Sequence, residues 1–235
     1  MNQFSSEEID RNDIQLIFLD GKNPDRQNPY FYDATYQHWL DIWGQHFKER
    51  DGLEKVSSDN FTRQDEILSF FWKDQCISTL CLRILDLKRP AFLNDSYFDI
   101  WDSSSLQALT KHGSRIGIYN QLTVIPGCPH FKEGIRVREV MLHLALTHLH
   151  RCGVDAIATI ARKDKKIHHS LALLGGHVLK SDLNLHGGNV DLTVFYPSSQ
   201  ITQDPKVIEV SQYIWDHKKI GRPCLDEKAI AAKAA

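Results

Sequence analysis

The chain has 235 residues, 42% hydrophobic and 25% charged, with 28 basic against 30 acidic side chains and a formal net charge of -2. That balance argues against nucleic acid or an anionic membrane surface as a main partner, and no apolar run approaches the roughly 18 residues of a membrane span. The polar start, residues 1–12, has no signal-peptide core. The five cysteines (Cys76, Cys81, Cys128, Cys152, Cys224) make no C-x-x-C pair, so reduced thiols in the cytoplasm are expected. The twelve histidines fall in no zinc-type spacing, and no metal is expected.

Residues 13–20 frame an apolar run, Ile-Gln-Leu-Ile-Phe-Leu, that predicts a first strand turned by Gly21. Residues 23–28, with Pro24, read as a loop. Residues 30–47 carry Tyr32, Tyr36, Trp39, Trp43 and Phe47 on one helical stripe; the stripe is either core or one wall of an acyl-chain or acceptor pocket. Residues 66–72 and 76–87 are two β-rich runs, and Lys73-Asp74-Gln75 between them suits a hairpin turn. Residues 95–111 predict a helix interrupted near residues 103–105 and closed by Gly113.

Residues 115–126 form the clearest strand signal, ended by Pro126; residues 127–133 are loop. Residues 134–152 predict a long helix whose apolar positions, Val140, Met141, Leu142, Leu144, Ala145 and Leu146 among them, cover more than one face and imply burial on most sides. A short strand follows over 155–161, then a helix over 165–174 ended by Gly175-Gly176. Strands over 177–180 and 191–196 are joined through His186-Gly187-Gly188-Asn189. A C-terminal helix covers 205–218, and the Ala/Lys-rich residues 229–235 read as a frayed end. The order is that of a mixed α/β chain, with a single domain over residues 10–200 and an appended helix and tail over 201–235.

The informative unit is a strand that leads by a loop into a buried helix. A helix start presents unbonded N–H groups and partial positive charge, a seat for a pyrophosphate. Lys132, Arg136 and Arg138 crowd this start, and Gly134 lets backbone approach a ligand. Neither G-x-x-x-x-G-K-[ST] nor G-x-G-x-x-G is present, which sets aside nucleotide-hydrolase and dinucleotide readings.

This order of elements resembles the GNAT (Gcn5-related N-acetyltransferase) superfamily. Its pyrophosphate loop, Q/R-x-x-G-x-G/A, aligns with Phe131-Lys132-Glu133-Gly134-Ile135-Arg136. Gly134 fits the first glycine, Phe131 replaces the Q/R, and Arg136 replaces the second small residue. Ala156-Ile157-Ala158-Thr159-Ile160 is similar to the family's fifth strand, and Leu173-Leu174-Gly175-Gly176 to the end of its fourth helix. Leu171 stands near the place of the family's general-acid tyrosine. A narrower resemblance, to acyl-homoserine lactone synthases and long-chain N-acyl amino acid synthases, rests on Ile118-Tyr119-Asn120-Gln121-Leu122-Thr123-Val124, Asp65-Glu66 and the run from Cys76 to Arg83.

The resemblance implies a GNAT-like fold, with a central mixed sheet of about six or seven strands flanked by helices. It also implies acyl transfer from acyl-CoA or acyl carrier protein, used as co-substrate with no tightly bound cofactor, to a small amine. Leu122, Thr123 and Val124 would polarise the thioester carbonyl by a backbone N–H. Lys132, Gly134, Ile135, Arg136, Val137 and Arg138 would hold the pyrophosphate. The base is sought in His168 or His169, and Asn120 would orient the acceptor or a water. Two alternatives stay open: a GNAT-fold binding protein without activity, and a covalent route through Cys128 with His130 as its base. His143, His148 and His150 on the long helix read as packing or surface residues.

Overall fold

A computed structural model describes residues 7–24, 28–51, 56–185, 187–197, 204–221 and 225. His186, Cys224 and the 229–235 end, each given a role above, lie outside the described residues. In chain order the elements are β1 (Glu8–Ile9), β2 (Ile14–Leu19), α1 (Pro29–Asp51), α2 (Asp59–Thr62), β3 (Glu66–Trp72), β4 (Gln75–Asp86), α3 (Pro90–Leu93), α4 (Ser103–Leu109) and β5 (Arg115–Val124). They continue with β6 (His130–Phe131), α5 (Val137–Arg151), β7 (Ala156–Arg162), α6 (Ile167–Leu173), β8 (His177–Leu185), β9 (Gly188–Phe195), α7 (Pro205–His217) and β10 (Lys219–Ile220). The mixed α/β class expected from the sequence is the class observed.

The chain divides into two compact units, and β4, β5 and α5 each contribute to both. The first contains Met1–Leu82, Gln121–Thr147 and Asp204–Ala235. Its strand order is β10-β2-β3-β4-β5. β2 pairs antiparallel with β3 from Ile14↔Trp72 to Leu19↔Ile67. β3 and β4 close a hairpin at Trp72↔Gln75. Lys73 (φ 50) and Asp74 (φ 60) form its two-residue turn, the paired positive φ that matches the twist of the flanking strands. Ile17, Leu19, Trp39, Phe61, Ile67 and Phe71 form a core, with Tyr32, Tyr36 and Trp43 packed against it. Within the aromatic stripe of α1, Trp39 is core: it stacks on Tyr36 at 5.9 Å and lies 5.6 Å from Phe61, while Tyr32, Tyr36, Trp43 and Phe47 are half-buried. α7 joins this unit through the buried Val207, Val210 and Ile214, and β10 runs parallel to β2.

The second unit contains Arg83–Asn120 and His148–Gln203. Here β7 pairs parallel with β5 at Ile116↔Ala156, Gly117↔Ile157 and Ile118↔Ala158, and antiparallel with β9, which pairs with β8. Leu85, Phe98, Trp101, Leu109, Ile116, Ile118, Leu192 and Val194 form its core. The helix expected over 95–111 is instead a 3-10 turn at Ser96–Phe98 and the short α4. The serines read as an interruption begin α4, because Asp102 caps it by accepting from Ser105 N–H at 2.8 Å. Aspartate and serine favour such caps over helix interiors. The β8–β9 hairpin is longer than expected and closes at Leu185↔Gly188, with register shifts around Lys180 and Leu183. Gly176 has a packing reason, since a Cβ there would lie 2.8 Å from both the Phe195 ring and the Thr193 methyl.

Candidate functional site

The second half of β5 is unusual for a strand. Its last β7 partner is Ile118, yet it runs on to Val124. Within it Gln121 takes φ 52, a left-handed conformation that costs a non-glycine residue roughly 1–2 kcal/mol. Side chains of the first unit hold this segment. Trp39 Nε1–H donates to Gln121 Oε1 at 2.6 Å. Thr123 Oγ1 lies 2.8 Å from His38 Nε2 and 2.5 Å from Thr79 Oγ1, and accepts from Thr79 N–H at 3.1 Å. Ser78 Oγ–H donates to the Thr123 carbonyl at 2.8 Å. Burial pushes the His38 imidazole down to about 4, so it is neutral at pH 7. The bonds can all be satisfied together. Thr79 N–H takes one lone pair of Thr123 Oγ1, and the remaining lone pair and proton serve His38 and the Thr79 hydroxyl in either direction.

The sequence marks Trp39 only as one member of the aromatic stripe and does not mark His38. A signal existed: Thr35 and His38 are polar residues one turn apart on the buried side of an aromatic helix, and both are buried.

Beyond β5 the Ile125 N–H bonds the Ile77 carbonyl at 3.0 Å, and the chain then enters the glycine loop. Phe131 N–H donates to Ile135 C=O at 2.9 Å, and Gly134 N–H to Phe131 C=O at 2.8 Å. Gly134 has φ 79 with nothing within 4 Å of where a Cβ would stand, so the backbone conformation, not protein crowding, explains the glycine. Lys132 N–H is taken by the Ile9 carbonyl at 3.0 Å. Arg136 N–H donates to Glu139 Oε2 at 3.0 Å while Glu139 N–H donates to the Arg136 carbonyl at 3.0 Å, so the glutamate half of a capping box closes the helix start. Four loop amides thus have protein acceptors, and the Val137 and Arg138 amides stand ahead of the helical ladder.

The basic side chains differ in fate. Lys132 Nζ pairs with Asp10 at 2.8 Å and holds that carboxyl down at about 2. Arg136 is exposed. Arg138 is half-buried, and its Nε is buried with no hydrogen-bond partner among the described residues. Ile135 and Val137 are buried, so any ligand contact of theirs is through main chain. Leu122 and Val124 are half-buried and Thr123 buried.

In the second unit, Asn120 Oδ1 is buried and has no hydrogen-bond partner among the described residues. Its neighbour Tyr119 is buried beside Thr159, and burial pushes its phenol well above the usual range. His168 and His169 sit on α6 with ring centroids 4.0 Å apart, His168 half-buried and His169 exposed. Leu171 is fully buried. His148 is buried near Cys152, its Nδ1 4.0 Å from Sγ. In the first unit, burial pushes the Cys128 thiol up to about 12, which keeps it protonated and disfavours a covalent acyl-cysteine. Among the described residues no group of three or more His, Cys, Asp or Glu is placed to hold a metal ion, and no helix is long and apolar enough to cross a membrane.

No protein-family model matches the chain, and no curated protein does. Solved structures do. A CoA-dependent acyl-homoserine lactone synthase, BjaI, solved with SAM and isopentyl-CoA, is 11% identical with a TM-score of 0.53, over 93% of this chain and 99% of that one. FeeM, an N-acyl amino acid synthase from uncultured soil microbes, is 13% identical with a TM-score of 0.55, over 78% of this chain and 90% of that one. The AHL synthase LasI is 12% identical with a TM-score of 0.51, over 89% and 96%. At such identities the likeness is one of fold: the chain has the GNAT-like fold that its sequence pattern resembles.

Proposed function

We propose that the chain is an N-acyltransferase that moves an acyl group from acyl-CoA or an acyl carrier protein to the amine of a small molecule by direct transfer. The observation that carries this reading is the run of β5 beyond its last β7 partner, a strand with the left-handed Gln121 within it that leads through the Gly134 turn to the start of α5. The main chain of Leu122, Thr123 and Val124 would pair with the amides of an extended pantetheine arm as another strand would. One of its N–H groups would face the thioester oxygen. The main-chain N–H groups of Ile135, Val137 and Arg138 and the guanidinium groups of Arg136 and Arg138 would hold the donor's phosphate, with Gly134 making the turn that presents them. Lys132, already paired with Asp10, would add little.

The acceptor nitrogen attacks the thioester carbon, the C–S bond breaks, the amine proton leaves to a base, and the departing sulfur is protonated to a thiol. His168 or His169 would take the proton, and Asn120 would orient the acceptor through its unbonded carbonyl oxygen. The neighbours support this reading: BjaI is a CoA-dependent acyl-homoserine lactone synthase and FeeM an N-acyl amino acid synthase. On it, residues 10–200 work as one acyltransferase domain. The four cysteines described as free thiols suit the reducing cytoplasm.

A second reading, a binding protein without chemistry, draws on the loop amides already bonded internally and on Leu171 in place of a tyrosine. A thermal-shift series with coenzyme A, acetyl-CoA and a long-chain acyl-CoA tests donor binding. Donor at 100 times its Kd adds about 2.7 kcal/mol to the folded state and raises the midpoint. Gly134→Asp has room for its side chain but is strained at φ 79, so it is read beside Gly134→Asn, which carries the same strain without the charge: the shift should vanish in the first and persist in the second. No wild-type shift with coenzyme A or either acyl-CoA at millimolar concentration, and none with an acylated carrier protein, would sink the acyltransferase reading.

A further inference from the structure

We infer that His38 and Trp39 are positioning residues for the acyl donor, holding the segment of β5 that presents main chain to it. This inference rests on the function proposed above.

Two consecutive residues of α1 reach two alternate residues of one strand. Trp39 binds the Gln121 side chain at 2.6 Å, and His38 binds the Thr123 side chain at 2.8 Å. Side chains at alternate strand positions ordinarily share a face, and between these two contacts lies Leu122. Gln121 holds φ 52, which an ordinary strand does not tolerate without outside support. Its side-chain oxygen is the acceptor for the Trp39 indole, with the Cys81 thiol 4.0 Å away. Thr123 is fixed from β4 as well, through Thr79 and Ser78. A hydroxyl held by three groups and a left-handed residue held through its side chain by an indole leave the 121–124 backbone little freedom, and a strand edge offered to an extended ligand needs that. Core packing alone does not account for the pattern. An apolar residue at position 38 and Phe at 39 would fill the same space without the two polar tethers.

The test is the dissociation constant of coenzyme A, measured by titration calorimetry on the full chain. Trp39→Phe keeps the ring against Tyr36 and Phe61 and removes only the indole donor. His38→Leu removes the Thr123 contact, and His38→Gln restores an amide at the place of Nε2. Leu109→Ala, in the core of the other unit, controls for general loss of stability. The expected result is at least fivefold weaker binding in Trp39→Phe and His38→Leu, near-native binding in His38→Gln, and no change in Leu109→Ala. If His38→Leu does not fold, Trp39→Phe decides alone. Wild-type binding with affinities unchanged within twofold in Trp39→Phe and His38→Leu would overturn this inference and leave the proposed function standing. No binding of coenzyme A or of an acylated carrier protein by the wild-type chain would overturn both.

Discussion

The imidazole of His38 on α1 and the hydroxyl of Thr123 on β5 meet at 2.8 Å with both residues buried, His38 8% and Thr123 1% exposed. The same hydroxyl accepts the Thr79 N–H. Thr123→Val keeps the shape and removes the oxygen, leaving a buried N–H and a buried imidazole short of a partner. The expected cost is about 1–3 kcal/mol, read as a lower urea midpoint with an unchanged slope.

The same pair sets a pH dependence. Burial pushes His38 from its ordinary value near 6.5 down to about 4, opposed by the Asp41 carboxylate. In the unfolded chain the imidazole titrates near 6.5, so as pH falls from 6.5 towards 4 the unfolded chain gains a proton that the folded chain refuses. This contribution to stability therefore rises with pH across that window. Between pH 7 and pH 4.5 the wild type should lose on the order of 2 kcal/mol more than His38→Gln. Parallel losses in urea unfolding would show that His38 does not carry the dependence.

In the second unit, Arg83 donates to both oxygens of Asp95 at 3.1 and 2.7 Å, with the two side chains 9% and 16% exposed. Asp95 also caps the 3-10 turn through Tyr97 N–H at 3.0 Å. Removing one member leaves a nearly buried charge, so Asp95→Ala should cost about 3–5 kcal/mol. Arg83→Met combined with Asp95→Leu should cost less than Asp95→Ala alone. Chemical denaturation of the three chains tests both statements.

His168→Ala and His169→Ala separate the two candidate bases. The histidine that takes the acceptor proton should lower kcat by about 10²–10⁴ when removed, with KM for the donor little changed. The other should change kcat less than about twofold. Rates within twofold of wild type for both variants would remove the histidines from the mechanism.

Much of the fold was legible because its signals are local. The β3–β4 hairpin follows from two β-rich runs around Lys73 and Asp74, and α5 from an apolar pattern that wraps the helix. The 95–111 region differs from the expected single helix because the serines at 103–105, which read as an interruption, begin a helix that Asp102 caps. The candidate site was legible only in part. Gly134 stands in a motif that a single sequence displays, and Arg138 follows two residues after it. The tethers from His38 to Thr123 and from Trp39 to Gln121 join residues 85 and 82 positions apart, and no periodicity reports such contacts. Nor could the sequence tell that Lys132 is paired with Asp10 or that the loop amides already have acceptors.

Incubation of the full chain with a medium-chain acyl-CoA and a mixture of amino acids and small amines, followed by mass spectrometry, tests the acyl-transfer claim most directly. The expected result is an N-acyl amide formed together with free coenzyme A, dependent on enzyme and lost in Gly134→Asp. A folded chain that releases no thiol and forms no amide from acyl-CoA, or from the same acyl group on a carrier protein, would contradict it.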